Sequence, residues 1–229
     1  MHRSDRPLSR PAFALRMMYR VKPCGAHRVL CLALVLLSSI LQAQQSNGHS
    51  SKRSRFTSPD GKFHFEFSDS LMQCHRVPGQ EDVWEPDACS AYVPICPPAT
   101  SDTAVCIAYP SQAGTNLEGA AFSVNELKQA TNQAECLKVE EPPPHVGTAR
   151  NEIINKIPFS VTETDGVAAG NFQTGFVYRT FHRKLCYELA IRISSFSLAN
   201  ADPGTVKDFD YETVQRTLQS VLESFEFSK

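Results

Sequence analysis

The chain has 229 residues, of which 41% are hydrophobic and 21% charged, a composition that disfavours disordered, collagen-like and coiled-coil proteins. Residues 1–43 carry seven basic side chains and one acidic one, whereas residues 44–229 carry 16 basic and 23 acidic ones. The resulting net charge of −7 over residues 44–229 repels a phosphate backbone, so nucleic acid is not an expected partner.

The first 43 residues have the layout of a secretory signal peptide. An apolar run from Val29 to Leu41 follows several basic residues and ends near Ala43, a small residue suited to signal cleavage. The run has about 13 residues, whereas a helix that spans a membrane needs about 20. We therefore expect a soluble mature protein that begins at Gln44, is exported to the periplasm or the medium, and has no membrane span.

The mature chain is expected to begin with a flexible linker and to continue as one domain. Residues 44–55 are polar and rich in serine, which is typical of a linker, and residues 56–229 suffice for a single core. A Pro59-Asp60-Gly61 turn is where ordered structure is expected to begin. Apolar and polar residues then alternate, which predicts a half-buried strand. Its apolar positions are Phe63, Phe65 and Phe67.

A stretch rich in proline and cysteine follows. Residues 77–103 contain five prolines, which interrupt strand pairing, so we expect a long loop held by disulfides. Six cysteines remain after residue 43, and an even number in an exported protein favours disulfides over zinc ligation or thiol catalysis. The six disulfide candidates are Cys74, Cys89, Cys96, Cys106, Cys136 and Cys186.

Two short apolar strands are expected at 104–109 and 119–124. The second runs into a predicted helix, because Ser123 and Glu126 have the spacing of a capping box. Apolar residues recur at helical spacing up to Leu137, and three consecutive prolines at 142–144 would end the element.

The remaining strands are expected in the stretch after residue 158. One lies around Phe159, one at 172–181 and one at 185–196. An Asp165-Gly166 turn would join the first two strands. An Arg183-Lys184 turn would join the last two, with Arg179 directly opposite Glu188.

Helices are expected on both sides of the sheet, because both faces of the last hairpin are too apolar to stay in water. A final helix capped by Asp208 or Asp210 would cover one side, and a short strand at 225–227 would follow it. The helix that ends near Leu137 would cover the other side and bring Cys136 to Cys186, with the other four cysteines pairing among themselves. A bond between Cys136 and Cys106 is the alternative.

Three features of this predicted order of strands and helices resemble the PsbP-like and DcrB-like exported proteins over about residues 56–227. They are the opening Gly61-x-Phe63-x-Phe65-x-Phe67, the hairpin from Tyr178 to Leu189, and a last helix that runs into residues 224–227. The resemblance implies an α+β fold in which helices flank an antiparallel sheet, and an accessory or binding role. The loop at 77–103 departs from the usual pattern of that family, and no catalytic residues carry over.

The sequence contains no nucleophile elbow, no phosphate-binding loop and no zinc-helix motif, so no catalytic, cofactor or metal site is expected. His64 and Glu66 share a strand face and could hold a metal with a third ligand, but solvent-facing polar residues are the more ordinary interpretation. Trp84 and Tyr92 could form an aromatic patch for a partner, or could instead pin the disulfide loop.

Two functions follow as hypotheses. The first is an exported, non-enzymatic accessory or binding module whose partner is an envelope protein or a small ligand. The alternative is an exported hydrolase or thiol enzyme that uses His182, Cys186 and Glu188, although paired cysteines would remove the thiol version.

Overall fold

The computed structural model describes residues 52–77, 80, 83–97, 103–138 and 148–229. The predicted signal peptide, most of the predicted linker and the three consecutive prolines lie outside the described residues. In the described part of the chain, no helix is long and apolar enough to cross a membrane.

The described residues form twelve β-strands and two α-helices. The strands are β1 (Arg53–Thr57), β2 (Phe63–Ser68), β3 (Met72–Gln73), β4 (His75–Arg76), β5 (Trp84–Glu85), β6 (Thr103–Tyr109), β7 (Leu117–Glu126), β8 (Arg150–Ile154), β9 (Ile157–Ala168), β10 (Asn171–His182), β11 (Leu185–Phe196) and β12 (Glu226–Phe227). The helices are α1 (Gln133–Cys136) and α2 (Tyr211–Glu223).

Most strands belong to one antiparallel sheet of seven strands, in the order β3-β6-β7-β11-β10-β9-β8. A second sheet has three strands in the order β1-β2-β12, and β4 and β5 form a separate two-stranded ribbon. The fold is therefore mostly antiparallel β-structure.

The large sheet has two differently covered faces. We call the first the helix face, because it carries Tyr187 and Leu189, which pack with α2 and with the phenylalanines of β2 in one core. We call the other the cysteine face, because it carries Cys106 and Cys186. Residues 84–97, the cysteine-rich segment, pack on part of this second face through Ile95.

Helix α2 confirms the expected final helix. The Asp210 carboxylate caps it by accepting a hydrogen bond from the Thr213 backbone N–H at 3.0 Å. One stripe of its surface is buried on the helix face. This stripe consists of Val214, Leu218, Val221 and Leu222.

The start of regular structure differs from the expectation. Strand β1 pairs with β2 from Arg53 onward, so residues 53–55 of the predicted linker are part of a sheet. Strand β2 confirms the predicted alternation, since Phe63 and Phe65 are fully buried and Phe67 is 8% exposed.

The capping-box prediction at Ser123 is wrong. Ser123 lies inside β7, where it pairs with Cys106 on one side and Ala190 on the other. Ladder hydrogen bonds to two neighbouring strands, together with burial on both faces, outweigh the local cap. The helix that does form, α1, has four residues and is capped by Asn132. The cysteine face is therefore covered by α1 and the cysteine-rich segment rather than by a long helix.

The hairpin between β10 and β11 has the predicted register, with Arg179 opposite Glu188 and Tyr178 opposite Leu189. The predicted turn at 165–166 is wrong, because these residues continue β9, opposite Thr174 and Gln173. The chain turns instead at 169–170, where both residues have positive φ, as two-residue hairpin turns require.

Three disulfides join the six predicted cysteines. They are Cys74–Cys89, Cys96–Cys106 and Cys136–Cys186. The expected pairing of Cys136 with Cys186 is confirmed, as is the pairing of the other four among themselves. The first two bonds tie the cysteine-rich segment to the strands around it, and the third ties α1 to β11.

Replacing Cys136 or Cys186 by Ser should destabilise the protein by about 4 kcal/mol, because their bond spans 50 residues of chain. Removing both should cost little more than removing one. The bond between Cys96 and Cys106 spans only 10 residues, so its loss should cost about 3 kcal/mol. Thermal unfolding of the variants measures this, and unchanged melting temperatures would show that the long-range bond contributes nothing.

Candidate functional site

The hairpin register separates the residues of the hypothetical thiol site. His182 pairs with Leu185, and Cys186 pairs with Phe181. Because side chains alternate between the faces of a strand, His182 lies on the helix face and Cys186 on the cysteine face. Cys186 is also bonded to Cys136, so it has no free thiol. The imidazole and the sulfur therefore do not form a nucleophile pair.

Glu188 lies on the cysteine face in a network with two arginines. It is 8% exposed, and one of its carboxylate oxygens accepts hydrogen bonds from Arg179 at 2.8 and 2.9 Å. Its other oxygen lies 3.8 Å from Arg192, which donates to the Ser123 hydroxyl. Arg179 also donates to the backbone carbonyl of Lys138, just after α1. The network joins three strands and the α1 region, so its role is structural.

The two candidate metal ligands of β2 have separate partners. His64 lies 3.3 Å from the Glu226 carboxylate, and the Glu66 carboxylate lies 3.8 Å from Arg53. Within the described ranges, one group of three metal-ligating side chains has its ligand atoms within 4.8 Å of one another. It consists of Cys74, Cys96 and Cys106, whose sulfurs are all in disulfides.

The two aromatic residues of the suggested partner patch differ in exposure. Trp84 is 7% exposed, its indole N–H donates to the Pro97 carbonyl, and Arg76 lies over its ring. Trp84 therefore fits the alternative in which it pins the disulfide loop. Tyr92 is 74% exposed and remains a candidate contact residue by itself.

A cleft opens at the end of the large sheet where β10 finishes and β11 begins. We call it the His182 cleft. It has a volume of about 500 Å³, within the range of small-molecule sites. It lies between the β8–β9 turn, the end of β10 and strand β12. Its lining residues are Asn155, Lys156, Ile157, Pro158, Thr180, Phe181, His182, Glu226 and Phe227.

His182 lines this cleft and has an unsatisfied ring nitrogen. Its Nε2 atom is buried and has no hydrogen-bond partner. Its ring stacks on Phe227 with the ring centres 4.0 Å apart and the planes 6° from parallel. Burial, and secondarily the nearby Arg183 guanidinium, lowers the pKa of His182. The lowered pKa favours the neutral imidazole.

Glu226 is the acidic residue of the cleft, and neighbouring groups hold both of its oxygens. Asn155 donates to one oxygen at 3.0 Å, and His64 lies 3.3 Å from the other. The hydrogen bond from Asn155 is the main cause that lowers the pKa of Glu226. No hydrogen bond or ion pair joins His182 to a carboxylate in the described part of the chain. The cleft therefore combines a carboxylate held by its neighbours with a stacked imidazole.

No family model and no curated protein matches the sequence. Among solved structures, the solution structure of cyanobacterial PsbP (CyanoP) from Synechocystis sp. PCC 6803 matches with a TM-score of 0.45 and 9% identity, over 80% of this chain and 96% of that one. A crystal structure from Bacteroides thetaiotaomicron VPI-5482 matches with a TM-score of 0.43 and 12% identity, over 76% of this chain. The chain spans about half of that protein, 48% of its length.

The match to cyanobacterial PsbP (CyanoP) is in keeping with the PsbP-like resemblance inferred from the sequence, at 9% identity and a TM-score of 0.45. Similarity at this level carries no information about ligands or partners, so the function has to be argued from the cleft itself.

Sequence patterns identified His182 as a candidate site residue, but they identified none of the other residues that line the cleft as candidates. Asn155 and Lys156 form a two-residue turn with positive φ at both positions, and an asparagine between two strands is a signal for such a turn. No local sequence pattern predicts that Phe227 lies beside His182, because this contact depends on the pairing of β12 with β2.

We expect the free energy of unfolding to fall at acidic pH because of His182. Its pKa is lowered on folding, so the unfolded chain binds the proton more readily once the pH falls below about 6.5. Stability should therefore be lost as the pH falls from about 6.5 through the lowered pKa. His182→Phe keeps an aromatic ring beside Phe227 and should reduce this loss. Urea unfolding at several pH values tests this, with His75→Phe as the control; equal pH dependence in all three proteins would contradict it.

Glu188→Ala should destabilise the protein by about 3 kcal/mol, because two largely buried guanidiniums would lose their shared carboxylate. Urea unfolding measures the effect. Glu163→Ala, which removes an exposed carboxylate from β9, should change stability by less than about 0.5 kcal/mol. Equal effects of the two substitutions would show that the network does not stabilise the sheet.

Proposed function

We propose that this chain is an exported, non-enzymatic binding module and that the His182 cleft holds a small ligand. The observation that carries the proposal is the cleft of about 500 Å³ lined by His182, whose ring stacks on Phe227 and whose Nε2 atom has no partner. Leaving a buried polar atom unpaired costs about 1–3 kcal/mol, a free energy that a ligand recovers only if the ring moves enough to expose the atom.

Export is supported by the cysteine chemistry. Three disulfides among the described residues are typical of a protein that matures in an oxidising compartment. The signal-like residues 1–43 are in keeping with this compartment.

A small ligand fits the cleft better than an envelope protein does. The cleft is lined by polar and apolar residues of three chain segments, whereas Tyr92 is a single exposed aromatic residue. The enzymatic alternative draws on residues of two sheet faces and on a cysteine that is already bonded.

Native mass spectrometry of protein purified from its own envelope or medium tests the proposal. We expect the wild-type protein to retain a small molecule and His182→Phe to lose it. His75→Phe removes an exposed histidine from β4 and should retain the molecule. Wild-type protein without any retained molecule, or equal retention by His182→Phe, would contradict a ligand site at this cleft.

A further inference from the structure

Two hairpin turns flank the His182 cleft at the same end of the large sheet. The β8–β9 turn consists of Asn155 and Lys156, and the β10–β11 turn consists of Arg183 and Lys184. All four residues have positive φ, a conformation that glycine adopts at lower cost. Three of the four are nevertheless basic, so this end of the sheet carries a cluster of cations.

These cations have no ion-pair partner among the described residues. Lys156, Arg183 and Lys184 are exposed and make no ion pair or side-chain hydrogen bond within the part of the chain that the structure describes. The carboxylate of the cleft, Glu226, is held by Asn155 and His64. Three cations in the flanking turns thus accompany the one carboxylate of the cleft, although residues 44–229 together carry a net negative charge.

The interior of the cleft is partly apolar. Ile157, Pro158 and Phe227 line it beside the stacked imidazole of His182. A ligand that suits both parts needs an apolar or aromatic body for the interior and a negative group for the rim. A neutral apolar molecule would leave the cations without a partner, and a small inorganic anion would leave the apolar wall uncovered.

We propose that the His182 cleft binds a small organic acid, with its apolar body against Ile157 and Phe227 and its carboxylate facing Lys156 and Arg183. This inference rests on the proposed binding function and names the ligand class.

Isothermal titration calorimetry at neutral pH with benzoate and benzamide as probes tests the charge requirement. The two probes share a ring and nearly the same shape, but only benzoate is anionic. We expect benzoate to bind at least about tenfold more tightly than benzamide, since bonds to charged groups are the stronger ones. Lys156→Gln and Arg183→Gln should each weaken benzoate binding by about tenfold.

Lys207→Gln is the matched control. It removes an exposed lysine beside Thr115 and Gly114, at the opposite end of the sheet, and should leave benzoate binding unchanged. Imidazole nitrogen NMR gives a second readout, in which benzoate should shift the His182 Nε2 resonance and leave His75 unchanged.

The results separate the ligand class from the binding function. Equal binding of benzamide and benzoate, or unchanged benzoate binding in both cleft variants, would overturn the organic-acid assignment. A neutral or cationic molecule retained in native mass spectrometry would overturn it as well, while the cleft would stand as a binding site. Protein that retains no molecule and binds neither probe would overturn both.

Discussion

The antiparallel pairing of β10 with β11 determines which face of the large sheet each neighbouring side chain occupies. Twelve residues of β10 pair with β11 in an unbroken register. A shift by one residue would move every side chain of the strand to the opposite face. The two-residue turn at Arg183 and Lys184, together with the ion pair between Arg179 and Glu188, holds this register. The position of His182 in the cleft depends on it.

The two faces of the sheet are stabilised by different means. The helix face is covered by α2 and by the phenylalanines of β2, where aromatic rings such as Phe65 and Phe122 meet edge to face. The cysteine face is covered by short elements, which two disulfides stabilise by restricting the conformations of the unfolded chain. On this face Arg179 donates hydrogen bonds both to Glu188 of β11 and to the Lys138 carbonyl just after α1.

Local patterns predicted much of this fold. Alternation identified β2, helical spacing identified α2, and the Arg183-Lys184 turn predicted the register of the long hairpin. The capping-box pattern at Ser123 failed because a strand with partners on both sides gains more than one helix cap offers. The cleft could not be predicted, since its walls come from segments 155–158, 180–182 and 226–227, which only tertiary pairing brings together.

The left-handed backbone at residues 155, 156, 183 and 184 has an evolutionary consequence. Proline and β-branched residues fit this conformation poorly, whereas asparagine, aspartate and glycine adopt it readily. Exchange of Lys156 for asparagine or aspartate would thus neutralise or reverse the charge at that position without disturbing strand pairing. Divergence within these turns gives the same scaffold a route to new ligand preferences while its core stays constant.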